Sequence, residues 1–279
     1  MPLSIQSFIP SILQPLITEQ PGPYRHLETR PVGELLRLIN EQDRLVAPAV
    51  GECIAQIAPL VEGIVERMAR GGRLFYIGAG TSGRLGVLDA SECPPTYGVP
   101  PGLVVGLIAG GDRALRDAVE AAEDSAGQAW RDLAVHSPNA DDTLVGLAAS
   151  GTTPYVIGGL REARAAGLLT GCVTCNPGAP VTEVCDHPVV ALVGPEVVTG
   201  STRMKSGTAQ KLVLNMITTT TMIRLGRVRD NRMVDMKLSN AKLIDRGTKM
   251  IVEATGLDYA EARRRLLDAG SVREVIDGQ

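Results

Sequence analysis

Apolar positions along this chain change period several times, and each change marks a different element. From 32 to 70 they recur at helical spacing: Leu35, Leu36, Leu38 and Ile39, then Val46, Val50, Ile54, Ile57, Leu60, Val61, Ile64, Val65 and Met68. Gly71-Gly72 ends that pattern. Short β-rich runs then alternate with helical stretches. The predicted strands are 74–77, 103–109, 143–148, 171–174 and 189–193. The predicted helices are 84–90, 112–133, 155–166 and 207–225. A βαβα order of this kind implies right-handed crossovers and a parallel sheet covered by helices on both faces. In the doubly wound order 2-1-3-4-5, the first and third strands are neighbours at the topological switch point.

The two ends read differently. Residues 1 to about 30 are proline-rich and weakly patterned, which predicts a surface arm. From Asp230 onward the chain is helical and charged, and it closes with a helical pattern over 257–276. The expected division is an N-terminal arm and helix over 1–47, an α/β domain over 48–228 and a small helical module over 229–279.

Composition narrows the picture. Of the 279 residues 44% are hydrophobic but only 3% aromatic, so Val, Leu, Ile and Ala must build the core, as in a parallel sheet buried on both faces. A net charge of −3 and the scarcity of aromatics argue against a nucleic-acid partner. No uncharged stretch reads as a membrane span, and no basic region followed by an apolar one suggests a secretory leader. The five cysteines are odd in number, which fits a reduced, cytoplasmic protein better than a disulfide framework. Cys172-Val173-Thr174-Cys175 is formally a metal-type spacing, but Val173 and Thr174 have strand character, so no metal site is expected.

Two loops carry the chemistry. Gly78-Ala79-Gly80-Thr81-Ser82-Gly83 and Ser150-Gly151-Thr152-Thr153 each follow an apolar run and precede a helix. Backbone N–H groups and hydroxyls at such a place hold phosphate. The first loop also satisfies a dinucleotide-type glycine string, but the next strand ends in Ala109-Gly110-Gly111 with no ribose-binding acid. A nucleotide-triphosphate loop is disfavoured because Arg84-Leu85 replace the required Lys-Ser/Thr. The plain alternative is a pair of tight turns. The prediction is a phosphorylated small molecule held by Ser82, Ser150 and Thr153 with the backbone of Gly80, Thr81, Gly83 and Gly151.

These residues resemble the sugar isomerase (SIS) domain. More closely, the strings at 78–96 (GAGTSGRLGVLDASECPPT), 107–111, 149–156 and 198–216 (VTGSTRMKSGTAQKLVLNM) resemble the N-acetylmuramic acid 6-phosphate etherase family. The similarity runs from about residue 18 to 256. Two departures stand out: Thr152 occupies a position where that family usually has a basic residue, and the chain ends sooner than the family's helical tail. The resemblance implies an SIS-type five-stranded parallel sheet flanked by helices, a sugar-phosphate substrate and a homodimer. It further implies cleavage of a lactyl ether by elimination and water addition, with no metal or organic cofactor.

The family's two catalytic glutamates map onto Glu92 and Glu123. Read from the residues alone, Glu92 sits at a helix C-terminus before Pro94-Pro95, where an acid opposes the macrodipole. Glu123 lies on the flank of the Leu115/Val119/Ala122/Ala126 stripe, where periodicity alone makes it a solvated acid. The string around Thr199-Gly200-Ser201 carries Arg203 and Lys205, one of which is expected to bind the lactyl carboxylate. Two other functions fit the same fold, a non-catalytic sugar-phosphate sensor and an aldose–ketose isomerase. Retention of both glutamates favours the lyase.

Overall fold

The computed structural model describes residues 16–119 and 121–278, so the first half of the expected N-terminal arm lies outside it. Five strands form one sheet: β1 (Leu74–Gly78), β2 (Val104–Ile108), β3 (Thr143–Leu147), β4 (Leu169–Thr174) and β5 (His187–Val190). All neighbours are parallel, in the order β2-β1-β3-β4-β5. That is the 2-1-3-4-5 arrangement expected from the alternation of elements. β1 and β3 are buried along their whole length, which is why their sequences are continuously apolar.

The two faces of the sheet pack against different helices. Leu74 and Tyr76 of β1 join a core with α2 (Val46–Gly51), α3 (Ile54–Ala69), α4 (Gly80–Tyr97) and α7 (Lys205–Arg224). Phe75 and Ile77, alternating with them, face α5 (Gln128–Ala134) and α6 (Pro154–Ala165). Preceding these, α1 covers Val32–Asp43. The continuous helical pattern over 32–70 therefore resolves into three helices. No single helix among the described residues is long and apolar enough to cross a membrane.

Two other helix expectations are corrected. The helix predicted over 84–90 begins at Gly80 and continues through Pro94 and Pro95, which do not stop it. It ends where Gly98 takes φ 65° and donates its N–H to Pro94 O. The helix predicted over 112–133 does not form as one piece. Short 3₁₀ turns cover Asp112–Leu115 and Ala122–Asp124, and a regular helix starts only at Gln128. Ala121 there is left-handed, at φ 57°. A Cβ on Gly158 of α6 would lie 1.8 Å from Ala126 O, so close backbone packing outweighs a weak alanine stripe.

The C-terminal residues form α8 (Ala241–Thr255), α9 (Tyr259–Ala269) and α10 (Val272–Asp277). Ile251, Ala262, Leu266 and Val272 make a small core of their own with Val234 and Met236. Asn240, Asp258 and Ser271 cap the three helices with side-chain acceptors. Lys237 N–H donates to Pro95 O at 3.2 Å, joining this module to the end of α4.

Candidate active site

Because β1 and β3 pair with Gly78 opposite Leu147, the loops that follow them lie side by side at the carboxyl edge of the sheet. In the first loop, Ala79 is extended and α4 starts at Gly80, with no side chain capping it. The first N–H groups of α4 thus face the crevice without helical acceptors. This turn needs small residues: a Cβ on Gly83 would lie 2.6 Å from Ile108 Cγ1 and 2.7 Å from Gly78 O. Ser82 is buried, and its hydroxyl donates to Gln210 Oε1 of α7 at 2.8 Å.

In the second loop, Gly151 has φ 73°, and a Cβ there would meet Ala179 Cβ at 2.4 Å. Thr152 donates from both N–H (3.3 Å) and hydroxyl (3.0 Å) to Ser150 Oγ. With its oxygen accepting twice, Ser150 has its own proton left to give. Thr152 therefore acts here by orienting its neighbour. Asn176 Nδ2 donates to the Ser150 carbonyl at 3.1 Å, and Thr153 is the extended residue before α6.

Glu123 is exposed in its 3₁₀ turn, not on a long helix. It lines a pocket of about 260 Å³ together with Gly80 and Arg84 of α4 and Ala109 after β2. Arg84 Nε donates to Leu115 O at 3.0 Å and so fastens this irregular segment beside the first loop. An acid and the N-terminus of α4 share one cavity.

Glu92 is not in that pocket. It is exposed ten residues beyond Ser82 on α4, about 15 Å along the axis. It lines a different cavity of about 250 Å³ between α4 and α7, with Leu88, Asp89, Lys211 and Asn215. Asp89 Oδ1 accepts from the Thr218 hydroxyl at 3.1 Å, while its buried Oδ2 has no partner. Burial pushes the Asp89 carboxyl up to about 6, against the opposing pull of the Thr218 hydrogen bond, the nearby Tyr76 hydroxyl and Lys211.

The loop before α7 places the two candidate cations apart. The carboxylate of Glu196, fully buried, accepts from Lys205 N (3.0 Å), Ser206 N (2.9 Å) and Ser206 Oγ (2.9 Å). An internal anion thus occupies the N-terminus of α7. Lys205 is itself buried; its Nζ donates to Gln42 Oε1 of α1 at 2.8 Å, and burial lowers its pKa. Arg203 is exposed on the loop. Cys172 and Cys175 are both buried on or beside β4.

Sequence reasoning missed Gln210, Glu196, Asp89 and Lys211. Asp89 had a usable signal, since it precedes Glu92 by three residues and shares its helix face. Gln210 and Glu196 had none, because their partners are distant in the chain or on another element.

Comparison with known proteins agrees with this architecture. Residues 56–164 match the glucokinase regulatory protein N-terminal SIS domain family. Among solved structures, a phosphoheptose isomerase from Francisella tularensis shares the fold at TM-score 0.53 and 14% identity, covering 69% of this chain and 98% of that one. A phosphoheptose isomerase from Neisseria gonorrhoeae does so at TM-score 0.50 and 17% identity, covering 68% and 97%. Sequence similarity is much higher elsewhere. An N-acetylmuramic acid 6-phosphate etherase of Porphyromonas gingivalis is 62% identical over 257 residues, 92% of this chain and 94% of the relative. One from Bacteroides fragilis is 59% identical over 261 residues, 94% and 93%. With identity of this order over nearly its whole length, the chain belongs to the N-acetylmuramic acid 6-phosphate etherase family.

Proposed function

We propose that this protein is a carbon–oxygen lyase that cleaves the D-lactyl ether of N-acetylmuramic acid 6-phosphate, giving N-acetylglucosamine 6-phosphate and D-lactate. The observation that carries this reading is the pocket in which Glu123 meets the open N-terminus of α4. It offers a base beside a phosphate-binding turn, in a chain of this family. The 6-phosphate is held by the N–H groups of Gly80, Thr81, Ser82 and Gly151, with the hydroxyls of Ser150 and Thr153.

In the open-chain aldehyde the C2 proton is acidic, because the carbanion is conjugated to the carbonyl. Glu123 removes it, the C2–C3 double bond forms, and the C3–O bond breaks. Glu92 gives a proton to the departing lactate oxygen. It then takes one from water as hydroxide adds to C3, and C2 is reprotonated. Overall one water is consumed and nothing is oxidised or reduced.

Glu92 and Glu123 line separate cavities, and Glu92 lies about 15 Å along α4 from Ser82, whereas C3 of a hexose phosphate is only three bonds from C6. A homodimer in which a second copy brings its Glu92 to this chain's Glu123 removes the difficulty. An apolar groove of about 820 Å³ between α3 and α7, lined by Ile54, Val65, Met216 and Thr220, favours such a contact. Most of the rest of the α3 stripe, including Ile57, Leu60 and Ile64, is already buried within its own subunit. Five buried, unpaired cysteines suit a reducing, cytoplasmic compartment. The deciding experiment is to incubate the protein with N-acetylmuramic acid 6-phosphate in H₂¹⁸O. D-lactate should appear, with ¹⁸O at C3 of the sugar product. No lactate, with the product sugar phosphate still bound, overturns the reading.

A further inference from the structure

The cavity beside Glu92 contains a cation that makes no close ion pair among the described residues. Lys211 of α7 is exposed and lines that cavity, and its charge acts on Asp89. Among the described residues, no carboxylate lies within ion-pairing distance of its ammonium.

The surroundings match one chemical fragment. A lactyl ether has three recognisable parts: a carboxylate, a methyl group and the ether oxygen that must be protonated to leave. The cavity offers an ammonium in Lys211, an apolar wall in Leu85, Leu88 and Leu214, and an acid in Glu92. About 250 Å³ is ample for so small a group. Neither cation named from the sequence is placed this way. The Lys205 ammonium is buried against Gln42, and Arg203 is not among the residues lining the cavity. Lys211 and Glu92 belong to the same cavity of one chain, so they stay together whichever copy supplies the phosphate loops.

We propose that Lys211 binds the carboxylate of the lactyl group and thereby sets the ether oxygen against Glu92. It is a specificity-determining residue for the leaving group, resting on the lyase reading above. An isomerase acting on a sugar phosphate would have no use for it, because no second anion is present in such a substrate.

The test compares two substrates in three proteins. N-acetylmuramic acid 6-phosphate is paired with its lactamide analogue, in which the carboxylate is a neutral amide. Wild type, Lys211→Met and Lys211→Arg are assayed for ether cleavage, with binding of N-acetylglucosamine 6-phosphate as a control for folding. Wild type should prefer the acid by roughly tenfold to a hundredfold in kcat/KM, the size of a charge-assisted hydrogen bond. Lys211→Met should lose that preference, with a loss on the acid much larger than its loss on the amide, and Lys211→Arg should regain most of it. Binding of the product sugar should not change in either variant, since it lacks the lactyl group. Equal losses on both substrates, or a preference for the acid that survives in Lys211→Met, overturn the assignment and leave the lyase reading intact. A wild type that cleaves neither ether but binds the product sugar overturns both.

Discussion

The two ends of α4 are built on opposite principles. Its first turn is a close-packed corner: Gly78 and Gly83 let backbone touch backbone, and Ser82 is held by Gln210. Ten residues later the same helix presents Glu92 and Leu88 to solvent, with Lys211 across an open cavity. The first end needs no large side chain to hold the proposed phosphate, because peptide dipoles and N–H groups suffice. The second end has side chains and no completed site. On the proposed reading, recognition of the phosphate is built into a single chain, whereas the chemistry of the ether waits for something to cover it.

The largest effect that could break this comparison comes from the glutamates. Glu92→Gln and Glu123→Gln should each lose ~10²–10⁴ in lactate release. Glu123→Gln should also lose exchange of the C2 hydrogen with deuterated solvent, and Glu92→Gln should retain some. If the two ends meet only between copies, co-expressing the two inactive variants restores activity to about a quarter of wild type, since half the dimers are mixed and carry one intact site. No recovery in the mixture would place both acids in one chain.

Next in size is the buried carboxyl between the two ends. The Asp89 pKa is raised from 3.8 to about 6, so the folded state holds its proton more tightly than the unfolded one. Stability contributed by that proton is present at low pH and is lost as pH rises through the window from about 4 to about 6. Asp89→Asn should therefore gain on wild type across that window, levelling at roughly 2–3 kcal/mol above pH 6. Denaturant unfolding of both proteins at pH 4, 6 and 8 measures it. A constant difference at all three values would mean that Asp89 does not titrate there.

Gly83→Ala probes the packed corner directly. Its Cβ would meet Ile108 Cγ1 at 2.6 Å and Gly78 O at 2.7 Å, and the backbone oxygen cannot step aside. A loss of ~1–3 kcal/mol in thermal unfolding is expected, together with weaker phosphate binding. The smallest effect is at the second loop, where Ser150→Ala should weaken binding of N-acetylglucosamine 6-phosphate by about tenfold and leave unfolding nearly unchanged. Unaltered affinity would move the phosphate away from Ser150.

Much of this architecture is legible in the order of the residues. Strand positions follow from continuous apolar runs, and the neighbouring of β1 and β3 follows from the alternation of elements. That alternation puts the two Gly/Ser/Thr loops in one crevice. The string around Glu92 points to its family. Local periodicity misleads where burial is weak. The alanine-rich stretch after Gly111 has helical spacing but little apolar area, so contact with α6 breaks it into turns and carries Glu123 to the crevice rim. Pro94-Pro95 mislead in the other direction, because the helix continues through them to a cap at Gly98.

The sheet, its winding and the two glycine- and hydroxyl-rich corners are dictated locally, since they follow from apolar period and from glycines and hydroxyls adjacent in the chain. Three other relations were settled by packing: which cation faces Glu92, that Glu196 occupies the start of α7, and that the two glutamates line separate cavities. The reason is physical. The cavity between α4 and α7 depends on which faces of those helices meet, and that is fixed by contacts between residues far apart in the chain, such as Ser82 with Gln210 and Asp89 with Thr218.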